Sequence, residues 1–463
     1  MRANEKVVAD DPDARHRTSV ERFPIPRFML DHVLGALVSD DAFLACLIPA
    51  LLFLSTLYFS GIPSLSELRR NVAEVITGRG RTAFGHFSVE RAILSYQQYA
   101  KLSLSELATM QRSYFKIGRI HKRVGYDLGY PAKLNRLQKA IAVNTKVTEG
   151  IVQLAQEHIP GKLSPTALYE QSKSVQGDLQ RVRESLKHFV RDWSEEGREE
   201  RAMIFGPILD LLKEASPVGR DGMRVLVPGS GLGRLAWEIS QLGFIVTANE
   251  LSSFMNLALR FLLSEKTTQR LDQHVLQPYA SWFSHQRTAD ALFREVRFPD
   301  ALPRPSENLE LAEGDFLGLK PPAPLRADGP PGYDVVVTLF FIDTSLNIID
   351  TLEHVHRLLK PGGTWINLGP LLWTGGGQAS LELSLEEVLR LACMVGFEIA
   401  ADTAGPRRRR TVECEYTADR AAMMRWLYEA EFWIATKVRA AKAGVGTWAC
   451  LLCLQAQAAR VAV

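Results

Sequence analysis

At 463 residues, with 46% apolar and 23% charged side chains, the chain is long enough for two or three domains with real cores. A net charge of +3 gives no reason to expect a nucleic-acid partner, which would demand a concentrated basic face. Five irregularly spaced cysteines (Cys46, Cys393, Cys414, Cys450, Cys453) imply no disulfide framework and fit a reducing compartment.

Residues 1–41 are expected to form a disordered tail, the first 30 of them being polar and charged. Residues 42–62, AFLACLIPALLFLSTLYFSGI, are an uncharged apolar run of bilayer-spanning length. It begins too far from the start for an ordinary signal peptide, and Pro49 interrupts it. A membrane span and a buried or partner-docked helix are both open readings. The location follows from that choice: cytoplasmic, with the nucleus also open, or anchored through residues 42–62. Residues 82–215 read as an N-terminal helical domain, with apolar residues at helical spacing and a break at Pro160-Gly161.

From residue 216 to 437 the texture changes to strand–helix alternation, which argues for a parallel sheet with crossover helices. Strands are expected at Arg224–Val227, Ile245–Asn249, Leu309–Ala312, Val335–Phe341, Thr364–Leu368, Phe397–Ala401 and Phe432–Thr436. Helices are expected at about 233–241, 252–265, 344–359 and 384–395. Arg407–Arg410 reads as a solvated loop, with an anion-binding patch as the alternative. The Ala-rich residues 438–463 form a C-terminal extension. Cys450-x-x-Cys453 stands there without a second ligand pair, so no metal site is expected.

The stretch VLVPGSGLGRLAWEISQLGFIVTANE, Val225 to Glu250, carries the chemistry. A strand runs into Gly229-x-Gly231-x-Gly233, where a missing Cβ lets backbone approach a ligand and the following helix offers unpaired N–H groups. Glu250, at the end of the next strand, can accept both hydroxyls of a ribose. A nucleoside cofactor follows, but a glycine turn alone does not say which. Gly314-Asp315-Phe316 adds an acid for an adenine amino group and a side chain for the ring. Asp334–Phe341 then leads to Asp343, a helix ending near Leu359-Lys360-Pro361-Gly362-Gly363, and a fifth strand. That is the layout of class I methyltransferases, and no hydride-transfer constellation such as Tyr-x-x-x-Lys accompanies it. Plainer roles stay open for each residue: a helix-terminal acid for Glu250, a turn cap for Asp315, the N-cap of a helix starting near Thr344 for Asp343, and interdomain packing for Arg191, Trp193 and Arg234.

The segments FVRDWSEEGREER (189–201), VPGSGLGRLAWEIS (227–240), NELSSFMN (249–256), GDF (314–316), FFIDT (340–344), LLKPGGTWINLGPLL (358–372), LELSLEEV (381–388) and YTADRAAMMRWLYE (416–429) together resemble the carnosine N-methyltransferase family. The resemblance runs in order from about residue 82 to 437. It implies an α/β, Rossmann-like class I methyltransferase fold, a seven-stranded and mostly parallel sheet, behind an N-terminal all-α domain. It implies S-adenosylmethionine as cofactor and a small histidine-containing acceptor: carnosine, converted to anserine, or a related imidazole. Carried over by position, His188, Arg191, Gly229, Gly231, Gly233, Glu250, Asp315 and Phe316 would hold the cofactor. Asp343 and Tyr428 would hold the substrate and carry catalysis. Asn347 is a further polar candidate.

The chain departs from the family pattern at four places. His188 stands where a Gln is usual, Leu346 replaces a histidine, Thr374 takes the place of a substrate-binding histidine, and Trp426 replaces a tyrosine. The missing histidine and the glycine run 375–377 leave a second reading open, a methyltransferase-fold binding or scaffold protein with weakened turnover.

Overall fold

In the computed structural model, residues 88–158, 177–214, 220, 222–325, 329–373, 379–400 and 409–438 are described. The terminal tails, the 42–62 run, Thr374 and the glycines 375–377 lie outside the described residues. Among the described residues no helix is long and apolar enough to cross a membrane.

The chain opens with helices α1 (Val89–Lys116), α2 (Arg119–Asp127), α3 (Tyr130–His158), α4 (Leu179–Trp193) and α5 (Arg198–Lys213). Ser88 caps α1 by accepting the Arg91 N–H at 3.1 Å, and Asp178 caps α4 by accepting that of Arg181 at 3.0 Å. The apolar stripes of α1, α3 and α4 share one buried cluster with Phe254, Leu257 and Phe261 of α7 (Ser253–Leu263). The helical part is therefore built onto the sheet part, and the Tyr96 hydroxyl adds a buried hydrogen bond to the Phe254 carbonyl at 2.9 Å.

The sheet comprises β1 (Arg224–Pro228), β2 (Ile245–Glu250), β5 (Leu309–Glu313), β6 (Tyr333–Leu339), β7 (Leu359–Gly369), β8 (Phe397–Ile399), β9 (Arg410–Cys414) and β10 (Tyr428–Lys437). A separate two-stranded piece is formed by β3 (His274–Leu276) and β4 (Val296–Phe298). Remaining helices are α6 (Arg234–Gln241), α8 (Ala289–Leu292), α9 (Ile348–Leu358) and α10 (Leu385–Val395). The strand order is β5-β2-β1-β6-β7-β10-β8. β5, β2, β1, β6 and β7 run parallel, and β10 runs antiparallel to β7 and β8. The central strands read as near-continuous apolar runs because both faces are covered by helices; Val225, Leu226, Val246, Val336 and Val337 have no exposed surface.

All seven expected strands are present. An eighth, β9, pairs with the first half of β10 while β8 pairs with the second half, so the two share one edge. Its buried residues are only Val412 and Cys414, too few to mark a strand in the sequence. The strand expected from Thr364 begins at Leu359, because Leu359 pairs with Tyr333 across a bulge. The helix expected from Thr344 begins at Ile348, after a 3-10 turn at Ile342–Thr344.

Candidate functional site

The order reverses between β1 and β6: β2 and β5 lie beyond β1, and β7 lies beyond β6. In open α/β sheets ligands bind at this switch point, outside the carboxyl ends of the strands. The glycine turn, Glu250, Asp315 and Asp343 each follow the carboxyl end of one of these parallel strands, so the topology gathers them on one edge of the sheet.

Gly229, Gly231 and Gly233 have φ of +62, +56 and +71°. At Gly229 a Cβ would also sit 2.6 Å from the Phe341 ring, so any other residue would be both strained and in collision. The Glu250 carboxylate spans the turn: one oxygen accepts the Gly231 N–H at 2.8 Å, the other the Ser252 N–H at 2.7 Å. Burial pushes this carboxyl above the usual carboxylate range, and the backbone donors oppose the shift. Each oxygen retains a lone pair for a further donor. The plainer role of Glu250, an acid bonded at the start of α7, is thus real and compatible with a ligand role.

Asp315 is exposed and caps the 3-10 turn Phe316–Gly318 by accepting the Leu317 N–H at 3.0 Å through Oδ1. Its other oxygen takes no part in that cap. Phe316 is buried, edge-on to Phe341 at 5.2 Å and to His354 at 4.8 Å. An aromatic wall beside an exposed acid suits a flat ring carrying an amino group.

The last turn of α4 closes the site from the helical side. Arg191, 6% exposed, forms a fork with Asp192, Nε to Oδ1 at 2.7 Å and Nη2 to Oδ2 at 2.9 Å. Its guanidinium stacks on the Tyr416 ring at 4.5 Å, and Nη2 lies 3.5 Å from where a Cβ on Gly231 would be. Arg191 Nη1 is buried without a hydrogen-bond partner, and so is Nδ1 of His188, one turn earlier. Burial, reinforced by the Arg191 charge, lowers the His188 pKa to about 3, so the ring is neutral near pH 7. The neutral ring adds no charge beside Arg191.

Behind this turn the chain is locked down. The Trp193 indole donates to the Leu232 carbonyl at 2.9 Å, tying α4 to the glycine turn. Arg234 stacks over Trp193 and Trp237 and pairs with Asp300 and Glu238. Arg201 donates to the carbonyls of Arg191 and Ser194 and pairs with the other oxygen of Asp300. Trp193 and Arg234 therefore pack and brace, as one sequence reading had it. At the C-terminal end of the charge run, Arg409 lies near Glu431 and Arg410 stacks on Phe432.

Asp343 is 5% exposed and lies in the 3-10 turn after β6, where Oδ2 accepts the Leu372 N–H at 3.0 Å. Burial raises its pKa from 3.8 to about 6. It is not the helix N-cap: Asn347 caps α9, its carbonyl accepting the Ile349 N–H at 3.1 Å while its amide donates to Asp350 at 2.8 Å. Both ends of the Asn347 side chain are thus committed to its own helix. Tyr428 is half-buried at the start of β10, edge-on to Phe340 at 5.5 Å. Its hydroxyl pKa is raised by burial and by the nearby Asp343 charge. Leu346 and Trp426, at two of the departures, are 55% and 69% exposed.

Tyr416 is the residue that sequence reasoning passed over. It stacks on Phe340 at 4.4 Å and 23°, lies edge-on to His188 and carries the Arg191 stack. It thereby joins the α4 side of the site to the β6 side. It heads a segment quoted for the family resemblance, but no spacing rule marks a stacking aromatic.

A parallel-sheet switch point, a glycine turn closed by an acid, an acid–aromatic pair after the third strand of the half-sheet and two orphaned polar atoms on a buried turn fit an aminoacyl nucleoside. The unpaired Arg191 Nη1 suits a carboxylate, and Glu250 suits a ribose. With this topology they define a class I S-adenosylmethionine-dependent methyltransferase.

The sequence pattern of carnosine N-methyltransferases matches residues 169–439. The carnosine N-methyltransferase of Schizosaccharomyces pombe is 32% identical over 366 residues, 74% of this chain and 93% of that protein. The Mus musculus enzyme of that name is 32% identical over 326 residues, 66% of this chain and 76% of the other. In Drosophila melanogaster the protein named carnosine N-methyltransferase unmet is 34% identical over 266 residues, 56% of this chain and 55% of the other. The chain belongs to the carnosine N-methyltransferase family.

Proposed function

We propose that this enzyme methylates a ring nitrogen of the histidine in carnosine, giving anserine, and that Asp343 is the group that activates the ring. The carrying observation is a buried carboxyl at the carboxyl end of β6 with its pKa raised to about 6. The names of the relatives support the acceptor.

Bound S-adenosylmethionine supplies a methyl group already activated on a sulfonium. The chain's own contribution is to align the acceptor and exclude water, on the order of 7–11 kcal/mol of barrier at best. A neutral imidazole has one lone-pair nitrogen and one N–H. Asp343, ionised above pH 6, accepts that N–H, fixes the tautomer and makes the other nitrogen a better nucleophile. When that nitrogen gains the methyl group the ring becomes cationic, and Asp343 takes the N–H proton, leaving a neutral product ring. The raised carboxyl pKa lies close to that of a cationic imidazole ring, about 6.5, so transfer of the N–H proton from the methylated ring to Asp343 is close to balanced. Tyr428 orients the ring or the peptide end of the substrate. On the cofactor side, His188, Arg191 and Glu250 receive polar groups, the three glycines make room, and Asp315 with Phe316 holds the adenine.

The scaffold reading rests on the missing histidine at Thr374 and on the glycine run 375–377. Thr374 lies outside the described residues.

Asp315→Ala is expected to weaken cofactor binding by roughly 10- to 150-fold, a charged hydrogen bond being worth about 1.5–3 kcal/mol. Calorimetry with S-adenosylmethionine checks it, and unchanged affinity would remove Asp315 from the site. The acid limb of kcat/KM carries a second test. Below about pH 6 both Asp343 and the free imidazole acceptor gain protons, so the logarithmic slope should approach 2. In the residual activity of Asp343→Asn it should fall to 1, and a slope of 1 in both enzymes would mean that Asp343 does not titrate in the reaction.

A further inference from the structure

Arg112 to Asp127, at the turn between α1 and α3, is a surface the methyl-transfer site does not use. Its sixteen residues carry five Lys or Arg and one Asp, a net charge of +4 against +3 for the whole chain. None of the nine residues of α2 is buried. The helix is held on one face only. Gly125 closes against Tyr114, where a Cβ would be 2.7 Å from the ring, and the Tyr114 hydroxyl donates to the Lys122 carbonyl at 2.6 Å. At 100° per residue the opposite face presents Ile120 and Val124 beside Arg119 and Arg123. Ile120 is 79% exposed, Phe115 69%, Tyr126 71% and Leu128 81%. Lys116, Arg119 and Arg123 are exposed and have no ion-pair partner among the described residues.

Exposed apolar side chains clustered on a small tip mark an interaction surface rather than ordinary surface variation. We propose that this tip docks on an anionic lipid surface, with Ile120, Phe115 and Leu128 entering the headgroup boundary and the basic side chains lying against lipid phosphates. Two features choose a membrane over a folded partner. The exposed apolar groups stand at the turn between two long helices, α1 and α3, on and around a helix with no buried residue. They are ringed by unpaired positive charge, the pattern of interfacial amphipathic helices. This surface is made by described residues alone and draws on none of residues 42–62.

The test is co-sedimentation of the full chain with vesicles of phosphatidylcholine alone or with about 30% phosphatidylserine, a composition that brings the surface potential into play. The parent should bind the anionic vesicles at least about tenfold more tightly and be released at high salt, where the Debye length shrinks to about 3 Å at 1 M. Arg119→Glu with Arg123→Glu, and separately Ile120→Glu, should each lose most of this binding while methyl transfer in solution is unchanged. Equal binding to neutral and anionic vesicles, or variants that bind like the parent, would overturn the proposal. So would a fall in oligomeric state of Ile120→Glu by sedimentation velocity, which would assign the face to a second copy of the chain.

Discussion

Replacing Asp343 by asparagine is expected to cut kcat by roughly 10²- to 10⁴-fold while leaving the affinity for S-adenosylmethionine within about twofold. Asparagine keeps the shape, and its carbonyl can still accept the Leu372 N–H that holds Asp343 at 3.0 Å. It cannot take the proton from the ring. The same change should stabilise the folded protein. Burial raises the Asp343 pKa from 3.8 to about 6, so above pH 6 the fold holds an ionised carboxyl that the unfolded chain would solvate better. Two pKa units correspond to about 3 kcal/mol. The Asp343→Asn enzyme should therefore be more resistant to urea at pH 8, by up to about 2–3 kcal/mol. The advantage should shrink as pH falls from 6 towards 4, where the carboxyl is protonated in both states. Lower turnover with higher stability marks a group kept for function at a cost to the fold. A variant losing turnover and cofactor affinity equally would place Asp343 in cofactor binding instead.

Arg191→Ala should be damaging in both respects. Asp192 is 1% exposed and its two oxygens receive the Arg191 fork. The arginine holds the Asp192 carboxyl below its ordinary range against the effect of burial. Removing one partner of a buried pair costs about 3–5 kcal/mol, because the other charge stays behind. Cofactor affinity should fall as well, since Nη1 is a buried donor without a protein partner. The two losses can be separated. Replacing Arg191 by Met and Asp192 by Leu together removes the stranded charge, and stability should largely return. Cofactor binding should not. Recovery of both would mean that Arg191 only braces α4, and that the unpaired Nη1 serves no ligand.

The sheet was readable because each central strand is buried on both faces and each crossover begins or ends at Gly, Pro or a capping residue. The seven strands and four helices expected after residue 216 are present, with the starts of β7 and α9 shifted by five and four residues. The glycine turn was readable for a local reason, since backbone at positive φ restricts the residue type. β9 was not readable, because pairing along half of β10 needs no apolar run of its own. Apart from the family resemblance, Asp343 is in sequence only an acid after a strand, a position that an N-cap also fits. The N–H that its carboxylate accepts comes from Leu372, 29 residues away. Asn347 shows the reverse case: one turn from Asp343 it looked like a substrate contact, yet both its polar atoms serve α9. Tyr416 and the Arg201–Asp300–Arg234 network depend on contacts from 66 to more than 200 residues apart in the chain, and no periodicity records those.

The purified chain is incubated with methyl-labelled S-adenosylmethionine and a mixture of carnosine, other histidine dipeptides and free histidine, and the products are read by mass spectrometry. A single added methyl on the imidazole of carnosine is expected, and its near-disappearance in Asp343→Asn. Cofactor binding without methylation of any imidazole in the mixture would contradict it.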